Sequence, residues 1–383
     1  MPENEASPLT TIQLERGSRT EFDGGWSKKE KNMNQDLTDK AKEVNSNEQL
    51  PNDKVDVWLK QHIPDLSGMP EITQYTGGAS NWTYRVKYDS HDLILRRPPA
   101  GTKAASAHDM GREYNIQKSL MPYYTVPEML AFCNDHSVME CDFYIMSRVE
   151  GIIPRANLPR ELALSEEQVR QLCLNVIDKM IELHSIDINT TGLAQFGKGK
   201  GYCERQISGW SERYKKARTW NVPKFSYVMD WLKVNIPSEE RTCLIHNDFR
   251  FDNMILDAED PMKIIGVLDW EMATIGDPLM DLGNSLAYWV QADDDFMAKS
   301  TRRQPTHLKG MLTRKEVIDY YCAQMGFETK NFTFYEVYGL FRLAVIVQQI
   351  YYRYYHKQTN NPAFKRFWIL VHYLNWRCKK LIK

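Results

Sequence analysis

The chain has 383 residues, 42% hydrophobic and 26% charged, with 49 Lys and Arg against 50 Asp and Glu for a net charge of -1. At roughly 150 residues per domain, that length predicts two domains or one enzyme fold in two lobes. The charge balance argues against a nucleic-acid binder, and no run approaches the roughly 18 apolar residues of a membrane helix. Seven scattered cysteines without a C-x-x-C pair argue against a disulfide framework or zinc site and for a reducing, cytoplasmic compartment.

Residues 1–50 carry many charges and few aliphatics. They lack the apolar segment of a signal peptide and are read as a disordered polar tail. Residues 51–150 are expected to form a small β-rich lobe. Val55, Trp58 and Leu59 predict a short helix stopped near Pro64. The turn-rich stretch Thr76-Gly77-Gly78-Ala79-Ser80-Asn81 leads into the strand-like alternation of residues 82–88. After the polar turn Ser90-His91-Asp92, residues 93–97 return as a second strand, ended by Pro98 and Pro99. Ser106 and Asp109 can cap a helix that carries Glu113, Tyr114, Ile116 and Leu120. Strand-like segments around Phe132 and over 143–149 complete the lobe, closed at Gly151.

Residues 151–383 are expected to be mainly helical. Ser165 and Gln168 form a capping box before the stripe Val169, Leu172, Val176, Met180 and Leu183. The pairs Thr313/Glu316 and Thr333/Glu336 announce two more helices. The last of these carries Leu343, Val345, Ile346, Ile350 and a run of tyrosines, read as packing residues.

The chemistry is concentrated in Leu244-Ile245-His246-Asn247-Asp248-Phe249-Arg250-Phe251-Asp252-Asn253-Met254-Ile255-Leu256. Two apolar pieces flank a polar loop with Asp248 and, five residues later, Asn253. A second apolar run, Ile264-Ile265-Gly266-Val267-Leu268, delivers Asp269. Phosphoryl transfer needs one carboxylate for the proton of the attacking hydroxyl, and an amide with a second carboxylate for Mg²⁺. The pattern H-R-D-L-x-x-x-N followed by D-F-G has the same Asp-to-Asn spacing. Arg250 is a second catalytic candidate, placed to screen γ-phosphate charge; a salt-bridged structural arginine is the competing reading. His246 is read as a packing residue, Asp252 and Asp281 as structural carboxylates, and Asp293-Asp294-Asp295 as a solvated loop.

These residues resemble the aminoglycoside phosphotransferase-like family of small-molecule kinases, and within it the kinase-like domain of acyl-CoA dehydrogenase family members 10 and 11. The likeness rests on His246-Asn247-Asp248, Asp252-Asn253, Leu268-Asp269-Trp270-Glu271, Gly276-Asp277-Pro278 and Asp281-Leu282. It extends to Gly77-Gly78-Ala79-Ser80-Asn81, Leu95-Arg96-Arg97-Pro98 and Arg112-Glu113-Tyr114. It implies an α+β, two-lobed protein-kinase-like fold, with residues 51–150 covering the nucleotide and 151–383 carrying catalytic loop, metal site and acceptor site.

It further implies ATP and Mg²⁺ as cofactors, Asp248 as base, and Asn253 and Asp269 as metal ligands. Gly77, Gly78, Ser80 and Asn81 would cover the phosphates, while Met146, Ser147 and Val149 belong to the hinge that holds adenine. Arg96 stands where kinases place the strand lysine, a departure, with Glu113 as its helix partner. The acceptor site is expected on residues 202–216, where Arg205 or Arg213 beside Trp210 would pair with an anionic acceptor, and Glu271 is placed with them. The expected partner is a small-molecule hydroxyl acceptor, a hydroxy acid or hydroxyacyl-CoA, with a link to acyl-CoA metabolism and no nucleic acid or membrane. A nucleotide-binding pseudokinase is the alternative. A protein kinase is disfavoured, because no A-P-E element follows Asp269.

Overall fold

The computed structural model describes residues 41–75, 81–99, 109–238, 241–329 and 332–383. Helix α1 (Asn52–His62) precedes strands β1 (Glu71–Tyr75), β2 (Trp82–Lys87) and β3 (Asp92–Arg97); α2 (Met110–Leu120) and strands β4 (Met129–Cys133) and β5 (Phe143–Ser147) follow. The strands form one antiparallel sheet in the order β1-β2-β3-β5-β4. Because side chains alternate along a strand, Leu93 and Leu95 of β3 face one side, packing with Val86, Ile145, Phe143 and the Val55, Trp58 and Leu59 stripe of α1. Ile94 and Arg96 face the other, where Tyr144, Met146 and Met110 and Tyr114 of α2 lie. This alternation delivers Arg96 to α2. Asp109 caps α2 by accepting from Arg112 N at 2.8 Å, whereas Ser106 lies outside the described residues.

Two parts of this lobe differ from the sequence reading. Strand β1 was unforeseen, since Glu71-Ile72-Thr73-Gln74-Tyr75 carries a weak apolar pattern. Residues 42–50, assigned to the polar tail, sit on the sheet. Lys42 and Gln74 exchange backbone hydrogen bonds of 2.8 and 2.7 Å, Tyr84 donates to the Glu48 carbonyl at 2.6 Å, and Leu50 is buried. Backbone pairing, the Gln74 side chain that accepts from Asn45 N and donates to Glu48, and the apolar Val44 and Leu50 fasten this segment, and composition does not register them.

The second lobe is helical around short strands. Its elements are α3 (Glu166–His184), α4 (Tyr202–Ala217), α5 (Ser226–Val234), β6 (Cys243–Ile245), β7 (Met254–Leu256), β8 (Ile264–Val267), β9 (Thr274–Gly276) and α6 (Pro278–Ala287). They continue as α7 (Phe296–Ser300), α8 (Arg314–Met325), α9 (Thr333–Tyr355) and α10 (Phe367–Ile382). Two of the three expected pairs form capping boxes, Ser165/Gln168 on α3 and Thr313/Glu316 on α8. Thr333 is the first helical residue of α9 rather than its cap; Phe332 occupies the cap position without a side-chain bond. The α3 stripe joins one core with β6, β7, α6 and α9. Strand β6 pairs with β9 and β7 with β8, so the two loops bearing Asp248 and Asp269 rise side by side. Among the described residues no helix is long and apolar enough to cross a membrane.

The lobes join through residues 148–152. Arg148 pairs with Asp92 at 3.0 Å, and Ile152 and Leu256 exchange backbone bonds of 2.8 Å, fastening the connection to β7. Helix α9 lies against α6 backbone to backbone. A Cβ at Gly339 would run into the Gly283 carbonyl, and one at Gly283 into the Tyr335 carbonyl. We therefore expect Gly339→Ala to cost about 1–3 kcal/mol in urea unfolding by forcing the helices apart. Gly209→Ala should gain up to about 1 kcal/mol, because Gly209 lies inside α4 with open space at its Cβ position and alanine is the better helix former.

Candidate active site

The Asp248 loop hangs from one buried carboxylate. Asp281, on the first turn of α6, accepts from His246 N at 2.8 Å, from Asn247 N at 2.7 Å and from His184 Nε2 at 3.1 Å. Burial pushes the Asp281 carboxyl up, but the bond and charge of His184 and the proximity of His246 hold it below its ordinary value. Asn247 takes a left-handed φ of 66°, which asparagine tolerates better than most residues. His246 Nδ1 accepts from Asp248 N at 3.2 Å, so the ring proton is on Nε2, which faces the Leu268 carbonyl at 2.9 Å. Both nitrogens are thus engaged in orienting the loop.

Asp248 and Asn253 are locked together. Asn253 Nδ2 donates to the Asp248 carbonyl at 2.8 Å and to its Oδ2 at 3.2 Å. This commits the amide nitrogen and leaves the Asn253 carbonyl oxygen for a cation. Asp269, at the end of β8, also has a left-handed φ, 67°. Its Oδ1 meets Arg96 Nη2 at 3.1 Å, while Arg96 Nη1 meets Glu113 Oε1 at 2.8 Å. Tyr144 donates to the same Glu113 oxygen at 2.9 Å. Burial, seconded by the Asp269 charge, pushes the Glu113 carboxyl above its ordinary value, against the pull of Arg96 and Tyr144. The arginine therefore spans the lysine-to-glutamate position of the first lobe and the Asp269 loop of the second.

Asn81, at the end of the glycine loop, points its amide at Glu113 Oε2 (3.5 Å) and Glu271 Oε2 (3.3 Å). Gly77, Gly78 and Ser80 lie outside the described residues. Arg250 is salt-bridged, with Nε 3.0 Å from Asp252 and Nη2 3.5 Å from Asp248, and it lies over the Tyr288 ring at 4.7 Å. Burial pushes the Asp252 carboxyl up and Arg250 pulls it back, the net being a raised value. Asp294 pairs with Arg314 at 2.7 Å and Asp295 caps α7, so those acids serve structure.

These loops line one cleft of about 630 Å³, which brings together Arg96, Met146, Ser147, Val149, Trp210, Asp248, Arg250, Asn253, Asp269 and Glu271. Arg205 and Arg213 do not join it. The Arg205 guanidinium donates to the Lys200 and Gly199 carbonyls beside a separate cleft lined by Asp109 and Arg112. Arg213 lies over the Trp210 ring at 4.5 Å. Five residues along α4 rotate Arg205 about 140° from Trp210, so one helix face cannot present both. Sequence reasoning missed Tyr288, Arg342 and Arg353, which line the cleft. Ile346 and Ile350 of α9, taken as core, line it as well. The readable signal was Arg342, a lone charge within the apolar run Leu340-Phe341-Arg342-Leu343-Ala344-Val345.

Among the described residues no three His, Cys, Asp or Glu side chains cluster as a metal cage. One amide oxygen and one carboxylate suit Mg²⁺, which keeps waters and takes phosphate oxygens for the rest of its shell.

A five-stranded sheet lobe over a helical lobe, with this cleft between them, is the two-lobed kinase-like fold. The chain belongs to the phosphotransferase enzyme family, whose sequence profile matches residues 71–315. It is 32% identical over 337 residues to acyl-CoA dehydrogenase family member 11 of Rattus norvegicus, covering 84% of this chain and 42% of that protein. It is 34% identical over 308 residues to family member 10 of Mus musculus, covering 79% of this chain and 28% of that protein. The chain thus spans less than half the length of these relatives. A solved structure from Ralstonia eutropha, provisionally assigned as an aminoglycoside phosphotransferase, is 26% identical with a TM-score of 0.72, covering 87% of this chain and 99% of that one.

The Asp281 knot yields a stability prediction. Asp281→Ala strips two buried backbone donors and His184 of their acceptor and should cost about 3–5 kcal/mol in urea unfolding at neutral pH. The folded carboxyl titrates below its ordinary 3.8, so its stabilisation is whole above that value and drains as pH falls through the lowered one. The gap between wild type and variant should hold steady above about pH 5 and narrow below the ordinary value.

Proposed function

We propose that the chain moves the γ-phosphoryl group of ATP to a hydroxyl of a small molecule, with hydroxy acids or hydroxyacyl-CoA as the acceptor class. The observation that carries the reading is the meeting of Asp248, Asn253 and Asp269 at one end of a cleft whose other wall is the hinge strand. Residues 51–150 act as the nucleotide-covering lobe and residues 151–383 as the catalytic lobe.

In this reading Met146, Ser147 and Val149 hold adenine, and Arg96, fixed by Glu113, pairs with phosphate oxygens. Asp248 accepts the hydroxyl proton as the acceptor oxygen bonds to the γ-phosphorus and the bond to the ADP oxygen breaks. Asn253 keeps Asp248 oriented through its amide, and its own oxygen would hold Mg²⁺ together with Asp269. Mg²⁺, when bound, neutralises charge on the phosphate oxygens. Arg250 holds Asp248 and Asp252 in place and adds positive charge near the transferred group.

Two facts support an acyl acceptor over a polyamine. The curated relatives are acyl-CoA dehydrogenases, and the cleft's carboxylates sit at its catalytic end, engaged by Arg96, Arg250, Asn253 and Asn81. A cationic aminoglycoside would call for carboxylates along the acceptor wall.

The test is transfer of label from γ-labelled ATP to hydroxy acids, hydroxyacyl-CoA thioesters and kanamycin-like amines. Transfer to the amines alone would overturn the acceptor class. Asp248→Asn should lose about 10²–10⁴-fold in turnover while still binding ATP; wild-type turnover in that variant would contradict the base assignment. Asp269→Ala should abolish Mg²⁺-dependent ATP binding. ATP held equally tightly in EDTA, with or without Asp269, would instead favour a regulatory nucleotide-binding module.

A further inference from the structure

The deeper arginines along the cleft are answered by carboxylates, with one exception. Arg96 has Glu113 and Asp269, Arg148 has Asp92, and Arg250 has Asp252 and Asp248. Arg342, on α9, is only 4% exposed and lines the same cleft. Among the described residues no carboxylate or carbonyl meets its guanidinium; the group packs over Trp210, with Cζ 5.3 Å from the ring centroid. A buried guanidinium without an anion is unfavourable, and an aromatic face offsets only part of that. Its nitrogens are not among the sealed, unpartnered atoms of the structure, so they open onto the cleft they line.

The surroundings fit an acceptor rather than a nucleotide. Arg342, Ile346, Ile350 and Arg353 follow one another at helical spacing along the cleft face of α9. Tyr288 lies within electrostatic reach of both Asp248 and Arg342 and lines the cleft with them. A molecule whose hydroxyl reaches Asp248 therefore has a buried cation ahead of it and apolar helix surface beside it.

We propose that Arg342 receives the acyl oxygens of the acceptor and so decides which hydroxyl is presented to Asp248. The group it takes is either the carboxylate of a hydroxy acid or the thioester carbonyl of its CoA derivative. This assignment rests on the phosphotransferase reading above. Two parallel N–H donors of a guanidinium match two carboxylate oxygens or bracket one carbonyl oxygen. Trp210 fixes the plane of the fork from behind, and Ile346 and Ile350 lie against the carbon chain. An alcohol without the acyl group would leave the cation unanswered and is rejected on that account.

The test compares hydroxycarboxylates of graded length, their CoA thioesters and matched diols. Binding to protein loaded with Mg²⁺ and a non-hydrolysable ATP analogue is followed by calorimetry, with phosphoryl transfer measured alongside. Wild type should prefer an acyl compound over its diol by at least about 30-fold. Arg342→Met, which keeps the packing on Trp210, should erase that preference. Arg342→Lys, which keeps charge and stem, should retain a part of it and serves if the Met variant does not fold. The preferred member, acid or thioester, identifies the acyl oxygen that is held. A preference that survives in Arg342→Met, or its absence in wild type, overturns the assignment. Preferential binding without transfer would remove the kinase reading alone, and transfer with a preference indifferent to Arg342 would remove this assignment alone.

Discussion

A single guanidinium between two carboxylates ties the site together. Arg96 comes from the sheet, Glu113 from α2 and Asp269 from the end of β8, so their contacts of 2.8 and 3.1 Å join three elements and both lobes. Burying such a group contributes little net stability, because desolvation offsets most of the attraction. What it contributes is position. A lysine is a point charge on a flexible stem, whereas the arginine fork can engage two carboxylates at once. The structural consequence is that the sheet lobe and the Asp269 loop are held in register by one side chain.

Around that junction the Asp248 and Asp269 loops are held by polar bonds as well as by the buried rings of Phe249, Phe251 and Trp270. Asp281 takes two consecutive backbone N–H groups and His184, and His246 spends both ring nitrogens on the chain. Asn247 and Asp269 occupy left-handed backbone conformations, an expense a structure sustains only where its surroundings over-determine the residue. Here the over-determination is visible: the Asp281 bonds fix one turn and the Arg96 contact fixes the other. The carboxylates that would act on a substrate are aimed before one arrives, which is the condition under which electrostatic stabilisation is effective.

The sequence disclosed what depends on near neighbours. The strand delivering Asp269, the alternation of β2 and β3, and the boxes at Ser165 and Thr313 are all short-range patterns that read correctly, and the Asp248 and Asn253 spacing brings those two side chains within 3.2 Å. What failed depends on the tertiary fold. Strand β1 and residues 42–50 meet through the Lys42 and Gln74 backbone pair and through the Gln74 side chain on Asn45 N and Glu48, partners that only the fold brings together. Arg205 and Arg213 share α4 with Trp210, but only Trp210 turns into the cleft, and the helix phase relative to a distant loop is not written locally. Arg342 enters the cleft from a helix more than fifty residues beyond Asp269, and at first reading its neighbours Ile346 and Ile350 look like core.

Arg96 and Glu113 are expected to act as one unit in holding the nucleotide. A double-mutant cycle in Mg²⁺·ATP affinity, with Arg96→Met, Glu113→Gln and the pair together, measures it directly. One unit means strong coupling: the double variant should bind about as weakly as Arg96→Met alone, with an interaction energy well above the ~0.5 kcal/mol of independent sites. Additive losses, or an Arg96→Met variant that binds ATP like wild type, would contradict it.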